Sequence, residues 1–142
     1  MKKIKIALIG LNFGKNIVDQ LMTGENTAIF DLVKVCDLDK ENLKQVKEQY
    51  NIDGTNDFNE ILEDPEIEAV GLFTGPSGRA GFLDKIISAG KDVMTTKPFE
   101  LDCEAALQVL DKAKSLGRVI HLNSPAPCLP PDMQLAKQWQ QK

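Results

Sequence analysis

IKIALIGLNFG, residues 4–14, is the stretch that decides the fold. Its apolar run reads as a buried strand that stops at Gly10. A very short turn follows, and a helix-like stretch begins at about Phe13–Gly14. A strand that turns sharply into a helix aims that helix's free backbone N–H groups, and its positive dipole end, at whatever lies over the turn. Phosphate is the usual occupant.

Outward from this turn, strand-like and helix-like segments alternate. Phe13, Ile17, Val18, Leu21 and Met22 fall on one helical face, and Gly24 is a plausible stop. Residues 31–37 read as a second strand through Leu32, Val33 and Val35. Asp39 caps a charged helix to about Tyr50, with Leu43, Val46 and Tyr50 inward. Residues 57–62 form a short helix opened by Asn56 or Asp57, and residues 69–74 another buried strand. Ser77 is the expected cap of a helix carrying Phe82, Leu83, Ile86 and Ile87, which Gly90 ends. A strand at 92–95, an amphipathic helix at 101–116 between Asp102 and Gly117, and a strand at 119–122 complete the series. Strands with continuous apolar character, separated by helices, predict an α/β fold. The sheet is mainly parallel and doubly wound, with helices on both faces and the ligand crevice at the strands' C-terminal ends.

The pattern breaks after Asn123. Ser124–Pro131 holds four prolines in eight residues, which excludes ordinary helix or central strand and predicts an extended connector. Asp132 then opens a helix with Met133, Ala136 and Trp139 on one side, and its apolar stripe calls for a partner. The expected organisation is a dinucleotide-binding domain over residues 1–123, then a connector and helix over 124–142 leading toward a second domain.

The whole-chain properties narrow the class. A length of 142 residues fits one domain with a real core, and 42% hydrophobic against 27% charged residues is ordinary for a soluble globular protein. The net charge of −4, with no Lys/Arg run interleaved with aromatics, argues against a nucleic-acid partner. Cys36, Cys103 and Cys128 are widely spaced, with no CxxC pair, so neither a disulfide framework nor a zinc site is expected. Cys36, in an apolar run, reads as a buried, inert thiol. The N-terminal apolar stretch is interrupted by Lys5 and is too short for a signal core or membrane span, which predicts a cytoplasmic protein without membrane attachment.

Four features carry the expected chemistry. In the turn, Gly10 holds the first position of a G-x-G-x-x-G pattern and Asn12 stands where the second glycine belongs, with Gly14 next; a one-residue deletion describes GLNFG equally well. Asn is the non-glycine residue that best tolerates the left-handed region, so a tight turn is retained. Asp37 closes the second strand 23 residues beyond Gly14, where an acid accepts hydrogen bonds from adenosine ribose hydroxyls. A carboxylate there repels a 2′-phosphate and no Arg follows it, which favours NAD over NADP. The small-residue loop Thr74-Gly75-Pro76-Ser77 lets backbone approach the middle of a cofactor, or serves only as a cap turn. Thr96-Lys97-Pro98 puts a lysine at the end of a parallel strand, pointing into the crevice, where it can hydrogen-bond a ribose or substrate oxygen and stabilise negative charge. Pro98 fixes the backbone there and is a candidate for a cis bond. His121, the single histidine, sits among apolar strand residues and is expected to be packed or partnered rather than a catalytic base. Arg79 opens the helix after Pro76 and is expected to face the same crevice.

GLNFG, VCDLD (35–39), FTGPS (73–77), AGKDVMTTKPF (89–99) and residues 117–123 occur in an order that resembles the N-terminal domain of the glucose–fructose oxidoreductase and inositol dehydrogenase (Gfo/Idh/MocA) family, over roughly residues 2–125. AGKDVMTTKPF is similar to the family's AGKHVLxEKP segment. The resemblance implies a Rossmann fold in which Gly10, Asn12, Phe13 and Gly14 form the phosphate turn and Asp37 is the ribose acid. Thr74, Gly75, Pro76 and Pro98 would border the cofactor. Lys97 would be the catalytic lysine at the nicotinamide end. It further implies an NAD(P)-dependent dehydrogenase acting on a hydroxyl-bearing carbon of a sugar, cyclitol or similar small molecule, and is compatible with a homo-oligomer. Three positions depart from the pattern: Thr96 replaces the glutamate before the lysine, Asn12 alters the glycine turn, and Arg79 replaces a histidine. A stand-alone, non-catalytic nucleotide-binding or sensing module is the alternative.

Overall fold

A computed structural model of the chain describes residues 2–123. Six strands, β1 (Ile4–Ile9), β2 (Phe30–Cys36), β3 (Asp53–Thr55), β4 (Ala69–Leu72), β5 (Asp92–Thr96) and β6 (Ile120–Asn123), form one sheet in the order β3-β2-β1-β4-β5-β6. Every pairing is parallel. Between them run α1 (Leu11–Leu21), a 3-10 turn at Gly24–Ala28, α2 (Lys40–Tyr50), α3 (Phe58–Glu63), α4 (Arg79–Ser88) and α5 (Cys103–Ser115). The chain leaves β1 toward β2 on one side and takes up β4 on the other, so the strand order reverses beside β1. Ile9 there pairs with both Cys36 and Leu72. In such sheets this switch point opens a crevice beyond the C-terminal strand ends.

The strand runs are apolar because both faces are covered. Ile6 and Leu8 of β1 pack with Leu11, Ile17 and Val18 of α1 and Val46 of α2 on one face. Ala7 and Ile9 alternate to the other face, against Leu83, Ile86 and Ile87 of α4 and Val109 of α5. The expected connector and final helix, with Trp139, lie outside the described residues, as does Cys128. Among the described residues no helix is long and apolar enough to cross a membrane.

Several local expectations are corrected. α1 starts at Leu11, two residues before Phe13, because Gly10 itself is the N-cap. Ser77 does not cap α4. Gly78, at φ 69°, holds the N-cap position, and the Glu100 carboxylate accepts from Ala80 N–H at 2.7 Å. β3 has no apolar run to announce it; its three residues, DGT, pair with Lys34–Cys36 of β2. On α5 only Val109 and Ala113 are buried, while Leu107 and Leu110 are exposed. Phe82 is 40% exposed and meets Phe58 edge-on.

Candidate functional site

The turn after β1 is built on contact between main chains. Gly10 has φ +86°, and a Cβ placed on it would lie 2.9 Å from the Phe73 carbonyl carbon and 3.0 Å from Thr74 N. Only glycine meets both conditions without strain, and so the turn can sit directly on the end of β4. Gly10 N–H donates to Cys36 O at 2.9 Å and Phe73 N–H to Ile9 O at 2.8 Å, joining the ends of β2, β1 and β4.

No side chain of its own caps α1. The cap comes instead from β2's end, where Asp37 Oδ2 accepts from Leu11 N–H at 2.6 Å. Asp37 Oδ1 accepts from Asp39 N–H at 2.8 Å. Both oxygens are thereby oriented by backbone while keeping lone pairs for further donors. Among the described residues nothing accepts from the N–H groups of Asn12 or Phe13. Two amides at a helix's positive end form an arrangement that suits an anion.

Two cavities flank this turn. One, of about 640 Å³, is lined by Gly10, Asn12, Phe13, Asp37, Thr74 and Gly75, with Cys36, Phe58 and Phe82 among its further walls. The other, of about 1020 Å³, is lined by Phe13, Thr74, Pro76, Arg79, Lys97 and Pro98 among others. Phe13, Phe73 and Thr74 border both. Phe13 is 47% exposed and its ring lies 5.8 Å from that of Phe73, so the pair forms a ridge between the two spaces. Asp37 thus falls on the β2 side of the ridge and Lys97 on the β5 side.

Of the expected site residues, only Gly14 borders neither cavity. It is buried one turn into α1, and a Cβ there would make ordinary contact with Phe73 at 3.7 Å. Cys36 is buried, and desolvation, reinforced by Asp37, pushes its thiol up to about 11, which keeps it protonated and inert at neutral pH. His121 is not packed: it is exposed on β6, one of the two edge strands of the described sheet.

The β5 side is held differently from the β2 side. Lys97 is exposed, and the Lys97–Pro98 peptide bond is cis. Thr95 Oγ1 donates to Leu72 O at 2.8 Å and joins the ends of β4 and β5. Arg79, expected at the crevice, borders the larger cavity but is only 2% exposed. Its Nη1 donates to Thr96 O at 2.6 Å and to Pro98 O, and its Nη2 donates to Thr74 O. Burial lowers the guanidinium's pKa and the nearby Glu100 carboxylate raises it. Glu100, which sequence reasoning missed, is held below the usual carboxylate range by the amides of Ala80 and Leu101. No local pattern marks the link between the two segments, because Arg79 reaches Thr96, Pro98 and Phe99, and Glu100 reaches Ala80, across 17 to 20 residues.

A parallel sheet of this order, wound on both faces with its crevice at the reversal beside β1, defines a Rossmann-type domain. The chain belongs to the Gfo/Idh/MocA family, described as an oxidoreductase family with an NAD-binding Rossmann fold, which matches residues 4–124. It is 25% identical over 117 residues to the inositol 2-dehydrogenase/D-chiro-inositol 3-dehydrogenase of Lactiplantibacillus plantarum, covering 80% of this chain and 33% of that one. The chain therefore spans about a third of that curated relative's length. Among solved structures, a 3-ketoreductase variant from Actinomadura kijaniata in complex with TDP-benzene and NADP superposes with TM-score 0.83 at 18% identity, covering 99% of this chain and 44% of that one. A protein from gentamicin A biosynthesis in complex with NAD gives 0.82 at 21% identity, covering 97% and 39%. These likenesses share the fold.

Proposed function

We propose that the crevice binds a nicotinamide dinucleotide, NAD in preference to NADP, and that the chain is the coenzyme-binding part of a dehydrogenase. One observation carries the reading: two unpartnered amides, at Asn12 and Phe13, sit between a cavity bordered by a fixed carboxylate and a cavity bordered by a lysine. The residues suit the coenzyme. The amides meet a pyrophosphate, Asp37 accepts from the adenosine ribose hydroxyls, and Lys97 stands at the nicotinamide end. Thr74, Gly75, Pro76 and Pro98 border the path between. Leu38 follows Asp37 and Asp39 stands next, so the two positions after the carboxylate offer no cation to a 2′-phosphate, and the first one, Lys40, opens α2.

The coenzyme supplies the hydride-accepting ring. The protein's part is to orient that ring and, through Lys97, to steady negative charge on a substrate oxygen. The family and the L. plantarum relative support a hydroxyl-bearing carbon of a sugar or cyclitol as the reaction centre. Residues 2–123 alone leave the lysine exposed, so coenzyme binding with negligible turnover is expected from them.

Calorimetric titration with NADH and NADPH tests the reading. Tighter binding of NADH is expected; binding of neither would reduce the domain to a scaffold. NADH binding that Lys97→Ala leaves untouched would favour a sensing module over a dehydrogenase.

A further inference from the structure

We propose that Arg79 is a positioning residue for Lys97, fixing the lysine's loop through the main chain on either side of it. This rests on the reading that Lys97 meets the nicotinamide end of the coenzyme. A guanidinium taken out of water is costly unless its donors are satisfied; both terminal nitrogens of Arg79 have partners, while its buried Nε has none among the described residues. The partners of Arg79 are backbone carbonyls and not carboxylates, and their placement is specific. Thr96 O and Pro98 O flank Lys97 immediately on both sides, and Phe99 O accepts at 3.4 Å. Thr74 O lies on the loop after β4, across the same cavity. One rigid fork therefore ties the two loops that wall the cavity and leaves the Lys97 side chain itself free. The charge is balanced locally. Glu100 accepts from Ala80 N–H at the start of α4, directly after Arg79, and favours the charged guanidinium.

The residue before the lysine is Thr96, whose Oγ1 donates to Asn123 O at 3.4 Å, so no carboxylate precedes Lys97 to orient it. Arg79 does by backbone restraint what an adjacent side chain cannot do here. Lysine is a poor substitute for it, since a single ammonium on a flexible stem cannot span both loops as a planar fork does.

Two measurements test the proposal on the 142-residue chain. In the first, backbone order parameters without coenzyme are compared between the native chain and Arg79→Lys, with Val70 in β4 as an internal control. Lys97 and Phe99 are expected to drop toward about 0.6 while Val70 stays near about 0.85. Unchanged values at Lys97 would overturn the clamp whatever the coenzyme does. The second measures NADH and ADP-ribose affinity in Arg79→Lys, Lys97→Ala and the double variant. Arg79→Lys should raise the Kd for NADH about tenfold and change that for ADP-ribose less than about twofold. The double variant should bind NADH no more weakly than Lys97→Ala alone, because the arginine acts through the lysine. Multiplicative losses, or equal weakening of both ligands, would show a merely structural arginine and overturn the proposal while the coenzyme reading stands. If the native chain binds neither ligand, the coenzyme reading fails and takes the link to Lys97 chemistry with it. Should Arg79→Lys not fold, Arg79→Gln, which keeps a planar donor, replaces it in both measurements.

Discussion

The two halves of the crevice reach order by opposite means. On the β2 side the group offered to a ligand is itself fixed, since both Asp37 oxygens already accept backbone N–H groups, one from α1 and one from the loop before α2. On the β5 side the side chain is free and the backbone beneath it is held, by Arg79 and by Thr95. The contrast follows from chemistry. On the proposed reading, a carboxylate that is to accept ribose hydroxyls gains from a preset direction, because the sugar is a rigid bidentate partner. An ammonium that tracks a changing charge gains from a long stem on a fixed base. Family membership places both halves in one fold, yet their sensitivity to mutation should differ.

The largest effect is expected on the seam that the halves share. Gly10→Ala would drive a Cβ to 2.9 Å from the Phe73 main chain at a φ of +86°. It should cost about 2–4 kcal/mol of stability, read from the denaturant midpoint. An unchanged midpoint would mean that the turn relaxes and the two halves are not rigidly joined.

Next comes Asp37→Ala, which removes an acceptor from Leu11 and Asp39 together. About 1–2 kcal/mol of stability should be lost. NADH should weaken about tenfold or more and the gap to NADPH should narrow. If stability falls but the NADH/NADPH ratio holds, the carboxylate is a helix cap and nothing more.

Lys97→Ala sharpens the contrast from the other side. Its exposed side chain makes no described hydrogen bond, so the unfolding midpoint should stay within about 0.5 kcal/mol while NADH affinity falls about tenfold or more. A large loss of stability would contradict the picture of a free side chain on a fixed base.

The smallest effect concerns Glu100, which anchors the β5 side from behind. Its folded-state pKa lies below the ordinary 4.5, so its contribution is present above pH 4.5 and is lost as pH falls through the lowered value. Glu100→Gln should therefore lower stability slightly at neutral pH and flatten this part of the acid limb in a midpoint-versus-pH series. A limb identical to that of the native chain would remove Glu100 from the support of α4.

What was legible in the sequence followed the range of the interaction. β1, β2 and β4 announce themselves because burial on both faces makes their inner residues mostly apolar, with Lys5, Asp31 and Lys34 the exceptions, and Asp39 and Asp102 cap α2 and α5 within a few residues of themselves. That Asp37 and Lys97 border the crevice could be read because strand ends are where a parallel sheet opens its crevice. The cap of α1 is supplied across 26 residues, that of α4 across 20, and the partners of Arg79 lie up to 20 residues away. None of these leaves a local trace, which explains the late start expected of α1 and the cap expected of Ser77, and why the burial of Arg79 at the crevice wall was not legible. β3 escaped for a different reason. Three residues ending in a half-polar Thr55 pair through main chain alone, so no hydrophobic signal exists to be read.

The Phe13–Phe73 ridge also has a bearing on ligand discovery. It divides the crevice into an aromatic-walled chamber and a chamber beside the lysine, each large enough to take a fragment alone. Small molecules found separately for the two chambers should occupy them at once without displacing each other. Tethering such a pair over Thr74 would turn the second association into an intramolecular one, so that avidity grows from linker geometry and requires no new contact.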